Sequence, residues 1–254
     1  MKRKKKVKSK VLKSHKKIRI KKEVRKKDGE YLGEFVYGAI DGTVTTFAVV
    51  AGATGASLSP LVVIILGFAN LIADGFSMAC GNFLSEIARK DYIARERKNE
   101  ELEVKYIPES ERDEVRAIFR KKGFKGKLLE KVVKIITARK KIWVDTMMTD
   151  ELGLIKDGKN PWKTARITYL SFVLIGLIPL LSYVLSYFIP YFQEKTFETA
   201  VAMTLISLSI IGIIKMEITK KNLFTSVFET VFIGGAAATI AYYVGYLLKL
   251  IVGM

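Results

Sequence analysis

From Gly42 to Ala73 the chain carries no charged residue, and the stretch 167–193 is also uncharged. Runs of this length constrain the fold severely, because in hydrocarbon every backbone N–H and C=O must be satisfied internally, which a helix does by itself. Yet the whole sequence holds 43 Lys and Arg against 25 Asp and Glu, a net charge of +18, with 50% hydrophobic residues. The two facts agree once they are mapped. The charges concentrate in residues 1–27 and 86–166, and the apolar residues dominate 33–85 and 167–252. Such segregation indicates a membrane protein with a polar insert, not a soluble globule.

Five spans are expected, at 33–55, 60–85, 167–193, 197–216 and 227–250, with "GASLSP" as the turn between the first two. Each approaches the ~20 residues needed to cross a hydrocarbon core. Lys and Arg set the orientation. The basic N-terminal tail and the 86–166 insert belong in the cytoplasm, the uncharged first loop and "PYFQEKT" outside, and "KMEITKKN" inside. The C-terminus then lies opposite the N-terminus, and the cell membrane of a prokaryote is the expected location. The tail lacks the compact apolar core and cleavage site of a signal peptide. It reads as a solvated segment attracted to anionic lipid. No nucleic-acid role is expected, since no aromatics interleave its lysines to stack bases.

The second span does not stop at the membrane. No Gly or Pro occurs from Asn82 to Ile107, so one long helix should leave the bilayer and end before Pro108. A second helix should end at Gly123, an amphipathic one should cover 127–137, and a short one should stop at Gly153. The fold class is therefore all-α: a five-span transmembrane bundle with a helical insert between spans 2 and 3. Its segments are a basic tail (1–30), spans 1–2 (31–88), the insert (89–163) and spans 3–5 (164–254). The insert is too short for a large core of its own, so the helix extension or a partner copy should pack against it.

One cysteine and one histidine exclude a disulfide framework, a Cys-rich zinc site and a His-dependent triad. Carboxylates remain as the candidate chemistry. Asp41 stands in an apolar segment where ionisation costs about 2.5 kcal/mol or more, so it must face protein, water or a cation. Gly38 and Gly42 beside it let two helices approach closely. Asn70, Asp74 and Met78 follow at i, i+4, i+8 on one face of the second span. Oxygen plus thioether suits a borderline ion such as Fe2+, although packing is the commoner use of a methionine. In the insert, Glu100 and Glu103, then Glu111 and Glu114, are spaced i, i+3, and Met147 precedes Glu151 by four with Met148 adjacent. Pairs of this kind usually form a solvated face. If they converge they form a cation site.

"DGTVTTFAVVAGATGAS", "ANLIADGFSMACGNFLSE" and "MMTDELGL" resemble the vacuolar iron transporter family, and the likeness runs from about 33 to 252. The resemblance implies a five-helix homodimer with its ion path between the copies, Fe2+ carried out of the cytoplasm by proton antiport, and a cytoplasmic metal-binding domain between the second and third spans. Asp41 and Met78 match the membrane-embedded ligands. Glu100, Glu103, Glu111, Glu114, Met147, Met148 and Glu151 match the cytoplasmic cluster. Plant-type members carry a glutamate where this chain has Asn70, and here the second carboxylate stands a turn later at Asp74. Mn2+, Zn2+ and Co2+ are further candidate cargo. Two other classes compete. A membrane-anchored metal sensor or store would explain the insert but not a ligand at membrane depth. An intramembrane aspartyl protease would use two aspartates, but Ile40 and Ala73 stand where its motifs need tyrosine and glycine.

Overall fold

The computed structural model describes residues 29–155, 158–220 and 222–252; the basic tail lies outside them. Among the described residues the chain is helical, without strands: α1 (Leu32–Gly55), α2 (Pro60–Tyr106), α3 (Pro108–Lys121), α4 (Gly126–Thr137), α5 (Lys140–Thr146), a π-helical turn (Met147–Glu151), α6 (Pro161–Leu185), α7 (Pro190–Glu194), α8 (Thr196–Thr219) and α9 (Leu223–Val252). Five of these, α1, α2, α6, α8 and α9, are long and apolar enough to cross a membrane. The chain divides into two units, one of residues 1–83 and 162–254 and the other of residues 84–161.

In the first unit α1 is the central element. Its buried residues Phe47, Val50 and Ala53 join Val63 and Leu71 of α2, Phe172 and Leu180 of α6, and Ala238 of α9 in one apolar core. Glycine permits the tight crossings. A Cβ at Gly42 would run into the backbone of Phe172, and one at Gly176 would lie 2.6 Å from the Gly42 carbonyl oxygen. The close approach expected at Gly38 and Gly42 is thus the α1–α6 crossing. Ala56 and Ser57 close the turn after α1 through backbone bonds to Gly52 and Thr54.

The third span differs from its expected 167–193. Its helix begins a turn and a half earlier, at Pro161, and ends at Leu185, after which Pro190 opens the short α7. Absence of charge marks solubility in lipid, not helix limits. Lys163 and Arg166 are helical because Pro161 can begin a helix. The break comes at Ile189, extended at φ −129°, ψ 116°, as a residue before proline prefers.

The second unit contains the far part of α2 with α3, α4, α5 and the π turn. Pro108 stops α2 and occupies the first turn of α3, where its missing N–H costs nothing. Gly123 and Gly126 take φ of 96° and 53° in the next connection, a region open to glycine. The core gathers Val115, Leu129, Val133, Trp143, Val144, Met147 and Met148 around Val104, with Ile93 packed alongside. Both Ile93 and Val104 come from α2, so the extension of that helix supplies part of the core.

Candidate ion-binding sites

In the first unit Asp41 is half-buried on α1. Its carboxylate interacts electrostatically with that of Asp74 on α2. Asn70, one turn before Asp74, points its amide nitrogen at Thr45 Oγ1 from 3.5 Å, and the same hydroxyl donates to the Asp41 carbonyl at 2.7 Å. The i, i+4 face of α2 therefore meets α1 beside Asp41. Met78 is half-buried and packs against the apolar core. Asn82 continues that face and donates to Thr168 of α6 at 2.8 Å. Among the described residues neither Asp41 nor Asp74 forms an ion pair with Lys or Arg. Asp41 lines a cavity of about 460 Å³ together with Tyr37 and Lys215.

Sequence reasoning missed Asn82, Thr45, Lys215 and Glu229. Lys215 of α8 donates to Glu229 of α9 at 2.9 Å. The sequence reading placed Lys215 in an inside loop, but α8 runs on to Thr219. Its signal was a lysine four residues before Thr219, at helical spacing from an apolar face.

In the second unit the convergence is tighter. Glu100 and Glu103 project from α2 and Glu111 from α3, and their carboxylate oxygens lie within 4.8 Å of one another. Glu114 of α3 and Glu151 of the π turn lie close to each other, and both act electrostatically on Glu100 and Glu111. Glu100 is 5% exposed and Glu111 2%, and one oxygen of each has no hydrogen-bond partner. Burial, then the neighbouring carboxylates, push both up to about 7. Burial and the same neighbours also raise Glu151.

Most other acids of this unit are matched. Arg97 holds Glu101 and Asp145, Arg112 holds Glu109, Arg116 holds Asp113 and Glu130, and Lys122 holds Asp150. Five glutamates without a basic partner among the described residues, two of them buried, are repulsive unless protons or a cation enter. An all-oxygen set with this much negative charge suits a divalent cation.

Met147 and Met148 are 0% and 4% exposed, inside the core of the unit. The π turn carries them and, three residues after Met148, Glu151, and it is closed by Leu152 N–H to the Met147 carbonyl and by Leu154 N–H to that of Met148. π turns of this kind recur at functional sites. Gly153, at φ 67°, lets the chain leave.

A sequence model of the VIT family matches residues 32–246. Curated relatives are similar over most of their length. A protein named "Vacuolar iron transporter" from Toxoplasma gondii is 36% identical over 88% of this chain and 76% of its own. "Vacuolar iron transporter 1" of Arabidopsis thaliana is 35% identical over 84% of both chains. The Plasmodium falciparum protein of the former name is 33% identical over 87% of this chain and 84% of its own. The two carboxylate sites thus sit in a chain that belongs to the VIT family, a family of transporters and not of enzymes.

Proposed function

We propose that the protein carries Fe2+ out of the cytoplasm in exchange for protons, working as a homodimer. One observation carries the reading: Asp41 and Asp74 stand in apolar helices that meet through Asn70 and Thr45, and among the described residues neither has a basic partner. Two carboxylates so placed must be relieved by protons or by a cation. Metal and protons then compete for the same oxygens, which is the thermodynamic requirement for antiport. Family membership and the names of the relatives support iron as the cargo.

The second unit is the cytoplasmic receiver. The excess of Lys and Arg in its sequence supports a cytoplasmic side, and its glutamates collect divalent ions, with Met147 and Met148 as candidate soft donors. The dimer reading rests on the outer face of α2, the helix that carries Asp74; that face is apolar along the membrane-crossing part. Leu61, Ile65, Phe68, Ile72 and Phe76 are exposed on it, and a second copy would cover them and bring a second Asp74 to the path.

Purified protein in vesicles with a pH-sensitive dye tests this. Fe2+ added on the cytoplasmic face should drive protons the opposite way at clamped voltage, and Asp41→Asn should abolish both fluxes while the protein stays folded. Fe2+ flux without proton counterflow makes the protein a uniporter. No flux at all favours a membrane-anchored store. Parallel runs with Mn2+, Zn2+ and Co2+ measure selectivity.

A further inference from the structure

Asp41 shares its cavity with a lysine. The space of about 460 Å³ is lined on one side by the first three turns of α1, from Leu32 to Asp41, and on the other by Lys215 of α8. A cation approaching Asp41 through this space passes an ammonium group. The Lys215 ammonium is not on Asp41: it donates to Glu229 Oε2 of α9 at 2.9 Å. That pair is held in register by a tight α8–α9 crossing. A Cβ at Gly212 would lie 2.8 Å from Val227 Cα, and Ser226 Oγ donates to the Gly212 carbonyl at 2.9 Å. Gly212 and Ser226 precede Lys215 and Glu229 by the same three residues. α8 and α9 run antiparallel across the three-residue connection after Thr219, so Lys215 and Glu229 stand one turn to either side of the crossing, each on the face of its own helix that carries the contact, and their long side chains span it.

A lysine stem is long and flexible, and its charge seeks the nearest carboxylate. Lys215 lines the same cavity as Asp41, while its ammonium is held by Glu229. If it moved to Asp41 it would neutralise the group that must receive the metal. We propose that Glu229 is a positioning residue for the ion path: it holds the Lys215 ammonium away from Asp41 and keeps that carboxylate open to a cation. The inference rests on Asp41 as a path ligand, and it adds a function for two residues that touch no metal.

The test is a double-mutant cycle read as initial Fe2+ flux in vesicles, with KM and maximal rate separated. Glu229→Gln releases Lys215 toward Asp41, so the Fe2+ KM should rise about tenfold or more. Lys215→Met leaves no competing ammonium. Flux should then persist with KM no higher than in the parent. Lys215→Met combined with Glu229→Gln should return KM to within about twofold of the parent. Elution as a single species from a sizing column qualifies each variant. Failure of Lys215→Met to rescue Glu229→Gln overturns the proposal. So does loss of flux in Lys215→Met alone, a result readable even if Glu229→Gln does not fold. A parent protein that moves no Fe2+ would instead sink the transport reading, which keeps the two failures distinct.

Discussion

Metal binding by the glutamate cluster should fall steeply as pH drops from 8 to 6. Glu100 and Glu111 are both held near 7, by burial first and by Glu103, Glu114 and Glu151 second. A carboxylate must be ionised to ligate. With pKa about 7, each group is about 90% ionised at pH 8 and about 10% at pH 6. If both must lose a proton, the apparent affinity falls about tenfold per group, or about 100-fold in all, roughly 2.7 kcal/mol. The groups face one another, so they titrate as a coupled pair and the change spreads over more than one pH unit. Anaerobic calorimetry on the full-length protein, with Asp41→Asn to silence the membrane site, would give affinity and proton release together. About one proton per ion should be released at pH 7, seen as a dependence of the heat on buffer ionisation enthalpy. Replacing Glu100 and Glu111 by Gln should weaken binding and flatten its pH dependence. An affinity that changes less than threefold across this range would refute the reasoning, since it would mean that the two buried glutamates are not ligands.

Other consequences are separable from transport. Because Glu100 and Glu111 are raised above the ordinary carboxylate value, the folded second unit binds protons more tightly than the unfolded chain; its metal-free stability is fullest below about pH 4.5 and is lost as pH rises through about 7. Metal-free melting should therefore drop between pH 5.5 and 8, Fe2+ should reverse the drop, and Glu111→Gln should raise the melting temperature at pH 8; a melting curve that rises with pH counts against unpaired buried glutamates. Gly42→Ala forces α1 off the Phe172 backbone and should cost about 3 kcal/mol, whereas Gly235→Ala meets nothing within 4 Å and should be neutral or stabilising by up to about 1 kcal/mol, as reported by the yield and thermal stability of the purified protein. Met78→Leu should change stability by less than about 1.5 kcal/mol while reducing the preference for Fe2+ over harder ions; an unaltered preference assigns Met78 to packing.

Much of this architecture is legible in the sequence because its determinants are local. Pro108, Gly123 and Gly153 punctuate the second unit where helices end, and charge-free runs mark the five crossing helices. The i, i+3 and i, i+4 spacings put Asn70 and Asp74 on one face, and Glu100 beside Glu103, whose oxygens converge with that of Glu111. What was hidden depends on groups brought together from distant positions. Lys215 and Glu229 meet only because α8 and α9 cross at Gly212, and Asn82 finds Thr168 across eighty-six positions. The π turn was equally invisible. Periodicity predicts a short helix through Met147–Glu151 but not that its bonds slip by one residue. The convergence of Glu151 with Glu114 follows from that turn and from the packing of Met147 and Met148, neither of which a spacing rule reports.

The acids of this chain divide by partner, and the division argues for what they do. With 43 Lys and Arg against 25 Asp and Glu, an unpaired acid is never short of available cations. On α3, Glu109 and Asp113 each have an arginine three residues on, while Glu111 and Glu114 have none. On α2, Glu101 pairs with Arg97, yet Glu100 and Glu103 on either side do not. Random placement on helices this basic would neutralise most of them, since i, i+3 and i, i+4 partners are within easy reach. Instead the helices turn their arginines outward with one set of acids and keep the other set facing inward, two of them almost fully buried. An arrangement that stores repulsion between carboxylates lowers the stability of the metal-free protein. It is useful only if something positive relieves it reversibly. A fixed arginine would relieve it permanently and leave no site. Protons and a mobile divalent ion can exchange there, and the same logic applies to Asp41 and Asp74 in the apolar helices, where a permanent basic partner would leave room for neither.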